Sequence, residues 1–228
     1  MLGSLLGRYW EKMVTQETSE FHLIMEMAHQ INEINPLGLK ELVRALLRPM
    51  QVEHLVAVAE RGLHRAPVEI RGDHFFFDLW GKAGYQPTWI RPTPEVRLEL
   101  SRDIVLPTPW HRHRYAEALG TIGGDKKQGG WRQDINHRVS LWLPWGIAFV
   151  TGGNHSIAAG ILAGEGSVTA TEVMDACSVF ETIACDGRAY RSTETGRTLA
   201  VVRDFRRAAV FEIGRLLADT GPRLLDDH

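Results

Sequence analysis

The chain has 228 residues, of which 44% are hydrophobic and 24% are charged, and its formal net charge is -2. These fractions are ordinary for a globular protein, and the length is sufficient for one well-formed core. The near-neutral charge balance excludes a strong overall basic field for nucleic acid but leaves room for a local basic patch.

The residues that bear on localisation predict a cytoplasmic protein. No apolar run reaches the ~20 residues that a membrane helix requires, so we expect no membrane partner. Arg8, Glu11 and Lys12 interrupt the apolar start of the chain, and we therefore expect no signal peptide. Cys177 and Cys185 have neither metal-ligand nor disulfide spacing, which favours reduced thiols.

Residues 1–65 are predicted to form an N-terminal helical region. Apolar side chains recur at helical spacing in three stretches, which end at Pro36-Leu37-Gly38, at Pro49 and at Gly62. The pattern indicates either a helical packing layer or a module that binds a protein partner.

Residues 66–100 are rich in glycine, proline and aromatic residues, which predicts a linker or an irregular lobe with a short strand or helix. Asp73, His74 and Asp78 could be arranged as metal ligands. Their spacing is not diagnostic, and capping of a loop or turn by aspartate is the favoured interpretation. We therefore predict no metal site.

Residues 101–228 are predicted to form an α+β domain with a small mixed sheet. Its elements, in chain order, are a strand at 104–106, a helix at 110–122, a glycine-rich loop at 123–136, strands at 139–143 and 147–150, a helix at 155–163, a strand at 167–174, a hairpin around 185–187, a strand at 198–202 and a helix at 204–217. The polar tail beyond Gly221 is expected to fray.

The turn after the strand at 147–150 is the best candidate for a functional site. Gly152 and Gly153 follow the strand, and Asn154, His155 and Ser156 open a helix of small residues. A sharp strand-to-helix turn brings unpaired backbone N–H groups together at the positive end of the helix dipole, which suits a phosphate or another anion. The alternative is an ordinary turn in which Asn154 or Ser156 caps the helix.

Two tryptophans precede this turn. Trp142 and Trp145 are predicted to form the core or the wall of a pocket, and one of them could stack on a nucleobase.

The order of elements over roughly residues 101–176 resembles the ParB/sulfiredoxin-like superfamily. In that superfamily a glycine turn of the form Gly-Gly-Cys-His-Arg, or Gly-x-x-Arg-Arg followed by alanine, binds nucleotide phosphates at the start of a helix. The matching residues here are Gly152, Gly153, Asn154, His155 and Ser156. The resemblance implies the same small mixed sheet and a ligand that carries a nucleotide or nucleic-acid phosphate. The same string also resembles one in an uncharacterised bacterial family carried on mobile elements.

The sequence departs from that superfamily at two positions. Asn154 occupies the place of the sulfiredoxin cysteine, so sulfinic-acid reduction lacks its thiolate nucleophile. Ser156 replaces the arginine that grips phosphate, so the charge of a polyphosphate must be offset by other cations. The candidates for that role are Arg112, Arg114, Arg138, Lys126 and Lys127.

His155 is the candidate catalytic residue. A helix N-terminus lowers the pKa of an imidazole, so the neutral ring could donate to a phosphate oxygen or act as a general base. Asp134 and His137 could supply an acid, base or metal partner, although surface placement is favoured. His111 and His113 are expected to form part of a basic first turn rather than a zinc site.

Three hypotheses follow. The first is an enzyme that hydrolyses a phosphate ester or transfers a phosphoryl group, with His155 as its catalytic residue. The sequence does not identify a cofactor for it, and the candidate considered is magnesium bound with a nucleotide. The second is a non-catalytic module that senses a nucleotide or associates with DNA while the N-terminal helices bind a protein. The third is a purely structural protein.

Overall fold

The computed structural model describes residues 2–61, 70–91 and 94–219. The fold is α+β, with a mixed sheet between two layers of packing elements. The predicted boundary at residues 65–66 and the predicted polar tail lie outside the described residues. In the described part of the chain, no helix is long and apolar enough to cross a membrane.

Seven α-helices and ten strands are described. The helices are α1 (Leu2–Ile34), α2 (Leu39–Arg61), α3 (Leu79–Ala83), α4 (Arg112–Thr121), α5 (Asn154–Ala163), α6 (Val179–Thr182) and α7 (Phe205–Asp219). The strands are β1 (Thr88–Ile90), β2 (Arg97–Glu99), β3 (Ile104–Leu106), β4 (Arg138–Leu143), β5 (Ile147–Gly152), β6 (Ser167–Thr169), β7 (Glu172–Asp175), β8 (Ile183–Cys185), β9 (Ala189–Ser192) and β10 (Thr198–Val201).

The main sheet has five strands in the order β1-β7-β4-β5-β3. β4 and β5 form an antiparallel hairpin in which Leu141 lies opposite Ala148. β3 runs parallel to β5, and β7 runs parallel to β4, so the sheet is mixed. A two-stranded ribbon (β2, β6) and a three-stranded antiparallel sheet (β8, β9, β10) complete the strands.

Successive apolar side chains of the central strands point to opposite faces of the sheet, so each face has its own core cluster. Ile147 and Phe149 of β5 pack with α1, α2 and α7, whereas Ala148 and Val150 pack with α5 and the β2–β6 ribbon. The N-terminal helices therefore form a packing layer on one face. Binding of a protein partner by these helices stays a prediction.

Buried polar contacts tie α2 to the edge strand β3. The side-chain amide of Gln51 donates to the carbonyl oxygen of Val105 over 2.7 Å, inside the core. Asp103, which is 2% exposed, accepts from Arg44 over 3.0 Å. Because removal of either partner would leave a buried polar group unpaired, these contacts fix the position of α2.

Three sequence predictions need correction. Pro49 does not end a helix but lies inside α2, because Leu47, Met50 and Leu55 hold both sides of it in the core. The strand predicted at 167–174 is two strands in different sheets, β6 and β7. The hairpin predicted around 185–187 has only a short first strand, β8, because the helix α6 directly precedes it.

Candidate functional site

The turn between β5 and α5 requires both of its glycines. Gly153 has a φ of +78°, a left-handed conformation that only glycine adopts readily. A Cβ atom on Gly153 would lie 2.3 Å from Cδ2 of His137, and one on Gly152 would lie 2.5 Å from the carbonyl oxygen of Asn136. The turn is therefore packed directly against the segment that leads into β4.

The start of α5 presents unpaired backbone donors. The first helical hydrogen bond runs from the amide of Ile157 to the carbonyl oxygen of Gly153, over 3.0 Å. Among the described residues, no hydrogen bond uses the amides of Asn154, His155 or Ser156. These three residues are only partly buried. The turn thus has the orphan N–H groups and the positive dipole end that bind anions.

The side chain of Asn154 points away from these amides. Its Oδ1 atom accepts from the backbone N–H of Thr108 over 2.7 Å. This contact fastens α5 to the segment between β3 and α4, so Asn154 contributes its amide to the turn while its side chain has a structural role.

His155 is held in one tautomer by the start of α4. Its Nε2 atom accepts from the backbone N–H of His111 over 3.0 Å and faces that of Trp110 at 3.4 Å. Backbone amides can only donate, so Nε2 is unprotonated and the neutral ring carries its proton on Nδ1. Burial lowers the pKa of His155, and the charges of Arg114 and His111 lower it further. His155 can therefore donate from Nδ1, whereas the lone pair that a general base needs is already engaged.

His137 is a second histidine with a fixed tautomer. Its Nδ1 atom accepts from the backbone N–H of Asp134 over 2.7 Å, which leaves the proton on Nε2. Burial lowers the pKa of His137, against the opposing charge of Asp134. The predicted surface placement is right for Asp134, but His137 is 4% exposed, because its ring packs on Trp131 at a centroid distance of 4.8 Å.

The side chain of Ser156 is held in place by a hydrogen bond from Trp131. The indole Nε1–H donates to Oγ of Ser156 over 2.9 Å, which leaves the hydroxyl hydrogen of Ser156 for another acceptor. Trp131 is 6% exposed, and a Cβ atom on Gly160 or Gly166 would overlap its ring. Sequence patterns did not identify Trp131, since its role depends on two distant glycines.

These groups meet in one cleft of about 370 Å³. Gly153, His155, Ser156 and His137 line this cleft, and so do the charged residues Arg114, Glu117 and Asp134. The unpaired side-chain nitrogens of both histidines are open to solvent, because in the described part of the chain only Nε of Arg207 is enclosed without a partner.

Several predicted phosphate-binding residues lie elsewhere. Arg112 does not line the cleft, and neither does Arg138, although the Arg138 side chain lies beside Gly152 of the turn. Nζ of Lys126 donates to the carbonyl oxygen of Leu119 over 2.6 Å and so caps the end of α4. Lys127 is exposed on the loop outside the cleft. Of the predicted cations, only Arg114 borders the site.

The two predicted pocket-wall tryptophans lie on the opposite face of the sheet. Trp145 packs against α7, where its Nε1–H faces the carbonyl oxygen of Phe211 at 3.3 Å. Trp142 packs beneath Gly72 and lines a different groove. Both side chains belong to the core cluster on that face, Trp142 from strand β4 and Trp145 from the turn that follows it, so neither can stack on a base in the cleft.

No group of three or more His, Cys, Asp or Glu side chains among the described residues is arranged to hold a metal ion. Asp78 caps the N-terminus of helix α3, rather than a loop, by accepting from the amide of Gly81 over 2.8 Å. His111 caps α4 by accepting from the amide of Arg114 over 3.3 Å.

Comparison with known proteins gives one family and no individual relative. Residues 11–222 match a family of unknown function, DUF6710. Neither a curated protein nor a solved structure matches the chain.

Proposed function

The chain belongs to the DUF6710 family, whose function is unknown, and from the geometry of the cleft we propose that it binds the phosphate of a nucleotide without catalysing a reaction on it. The phosphate lies against the amides of Asn154, His155 and Ser156. His155 donates to it from Nδ1, and Arg114 supplies positive charge.

The cleft offers hydrogen-bond donors, and this observation carries the proposal. The donors of its lining residues are the unpaired amides of His155 and Ser156, the ring N–H groups of His137 and His155, and the hydroxyl of Ser156, and the unpaired amide of Asn154 comes directly before them in the chain. Both imidazole lone pairs are already engaged by backbone amides. A fully deprotonated phosphate oxygen only accepts hydrogen bonds, so it complements such a set of donors.

The border of the cleft favours a single nucleotide over a nucleic acid. Glu117 and Asp134 place two carboxylates beside these donors, against the one guanidinium of Arg114. A polyanionic strand would bring further phosphates close to these carboxylates and be repelled. A nucleotide can instead present its sugar hydroxyls or base amino groups, which donate to carboxylates.

The same hydrogen bonds argue against the proposed enzyme. A Ser156 nucleophile would need a neighbouring base, and neither His155 nor His137 has a lone pair left to accept the proton. In this arrangement His155 acts as a hydrogen-bond donor and as the cap that joins α5 to α4.

Two finer assignments belong to the same proposal. We assign β3 to β7 to a ParB/sulfiredoxin-like fold, which is supported by the mixed sheet and by the glycine turn that begins α5. We place the protein in the cytoplasm, which is supported by the two free thiols, Cys177 and Cys185.

Calorimetric titration with ATP, CTP, GTP and cyclic nucleotides, with and without magnesium, tests the proposal. Arg114→Gln should weaken the affinity for the best nucleotide roughly 3- to 10-fold, because Arg114 is the one arginine or lysine among the described residues that lines the cleft. Arg112→Gln is the matched control, since it removes the same charge two residues earlier, outside the cleft.

Equal losses in the two variants would show general electrostatics rather than a site, and no binding by any nucleotide would refute the proposal. Product formation from the bound nucleotide, followed by chromatography, would refute the non-catalytic part and restore the enzyme hypothesis.

A further inference from the structure

A second cavity shares no lining residue with the cleft at the start of α5. We call it the Tyr190 pocket. It has a volume of about 500 Å³ and is bounded by the loop at residues 74–78, Lys82 of α3, Tyr190 of β9, and residues 199–207 of β10 and the start of α7. That volume is within the range of sites for small organic ligands.

The floor of the Tyr190 pocket is aromatic and rigid. Phe75 is 1% exposed and Phe77 is 9% exposed, so both rings belong to the core. The rings of Phe77 and Tyr190 lie 4.6 Å apart between centroids, at an interplanar angle of 33°. The guanidinium of Arg207, which also lines the pocket, lies 5.0 Å from the ring centroid of Phe75. Because the three rings are almost fully buried, the apolar surface open to a ligand body comes mainly from Phe76, Leu199 and Val201, which line the same pocket.

One polar group in this floor has no partner. Tyr190 is 2% exposed, yet within the described residues its hydroxyl makes no hydrogen bond and is not enclosed by protein atoms. Burial raises the pKa of Tyr190 well above its ordinary value, so the hydroxyl keeps its proton and can donate. A buried, oriented donor at the edge of an aromatic floor is the arrangement that fixes a ligand's acceptor group.

The charges around the pocket favour an anion. Lys82 and Arg203 border it and form no ion pair with any described residue. The nearby carboxylates have other roles: Asp78 caps α3, and Asp204 accepts from the amides of Arg206 and Arg207 at the start of α7. Two unpaired cations therefore face a pocket whose acidic groups are engaged.

We propose that the Tyr190 pocket binds a small organic carboxylate with a flat apolar body. The body lies against the apolar lining of the pocket, and the carboxylate accepts a hydrogen bond from the Tyr190 hydroxyl while facing Lys82 and Arg203. The ligand is chemically distinct from the nucleotide of the cleft, so the two sites can be tested separately.

Calorimetric titration of the full-length protein with benzoate, phenylacetate and indole-3-acetate at millimolar concentrations tests this proposal, with benzylamine as the cationic counterpart. Tyr190→Phe keeps the ring and removes only the donor, and it should weaken the best acid about 10-fold, the equivalent of one hydrogen bond of about 1.4 kcal/mol. Tyr85→Phe is the matched control, because the Tyr85 hydroxyl pairs with Ser178 outside the pocket.

The expected result is binding of at least one acid, weakened by Tyr190→Phe and by Arg203→Gln but not by Tyr85→Phe. Three results would overturn the proposal: no acid binds, benzylamine binds at least as tightly as the acids, or Tyr190→Phe leaves the affinity unchanged. Thermal unfolding of each variant verifies that it is folded before the titration.

Discussion

Replacing Gly153 with alanine should lower the free energy of unfolding through two separable effects at the turn that borders the cleft. The first is backbone strain, because Gly153 has a φ of +78°. The second is overlap, because the new Cβ would lie 2.3 Å from Cδ2 of His137, a buried ring that cannot move without displacing its neighbours.

A free-energy cost can be assigned to each of the two effects. A left-handed alanine costs roughly 1–2 kcal/mol relative to glycine, and forcing an extra methyl into packed structure costs typically about 1–3 kcal/mol. Gly164→Ala is the matched control, since Gly164 has a φ of +69° but nothing lies within 4 Å of its Cβ position. The control carries only the strain, so the difference between the two variants should be about 1–3 kcal/mol.

Equilibrium unfolding in urea measures both variants, with unchanged slopes verifying that the same surface unfolds. For a chain of this size each kcal/mol also lowers the melting temperature by about 2–4 °C. Gly153→Ala should in addition weaken nucleotide binding, because it displaces His137. If Gly153→Ala were no more destabilising than Gly164→Ala, the described packing of the turn on His137 would be wrong.

Two further predictions concern helix packing and pH. Gly120→Ala should stabilise the protein by up to about 1 kcal/mol through helix propensity, because nothing lies within 4 Å of the new Cβ. Gly214→Ala should instead destabilise it by about 1–3 kcal/mol, because there the new Cβ would lie 2.1 Å from Nε1 of the buried Trp145 indole. Thermal unfolding that shifts in the same direction for both variants would contradict this. In the folded protein the pKa values of His137 and His155 lie below the ordinary histidine value of about 6.5. As the pH drops below about 6.5, the unfolded chain therefore binds protons before the folded protein does, and the free energy of unfolding should fall. Urea titrations across this pH range should show a smaller fall in the double variant His137→Gln/His155→Gln, and an equal fall in both proteins would contradict the assignment.

Much of the fold could be predicted from local patterns. Alternation at Val139-Ser140-Leu141-Trp142-Leu143 and the apolar run at 147–150 gave the β4–β5 hairpin, which the structure confirms. The glycine turn and the helix after it are also confirmed, with α5 beginning at Asn154. These elements depend on residues close together in the chain, which is why a single sequence predicts them.

The chemistry of the site could not be predicted in the same way. The tautomer of His155 is set by amides at residues 110–111, more than 40 positions earlier in the chain. Trp131 and His137 come from a glycine-rich loop without periodicity, and their burial depends on glycines in other elements. Pro49 remained inside a helix because tertiary packing outweighed its local cost.

The proposal that the cleft binds a nucleotide requires the unpaired amides at the start of α5 to bind an anion. A two-dimensional ¹H–¹⁵N NMR titration with the best nucleotide, repeated with inorganic phosphate, tests this claim directly. We expect the amide signals of Asn154, His155 and Ser156 to shift most, and both ligands to move them in the same direction. Binding that leaves these three signals in place while others shift would contradict the proposal.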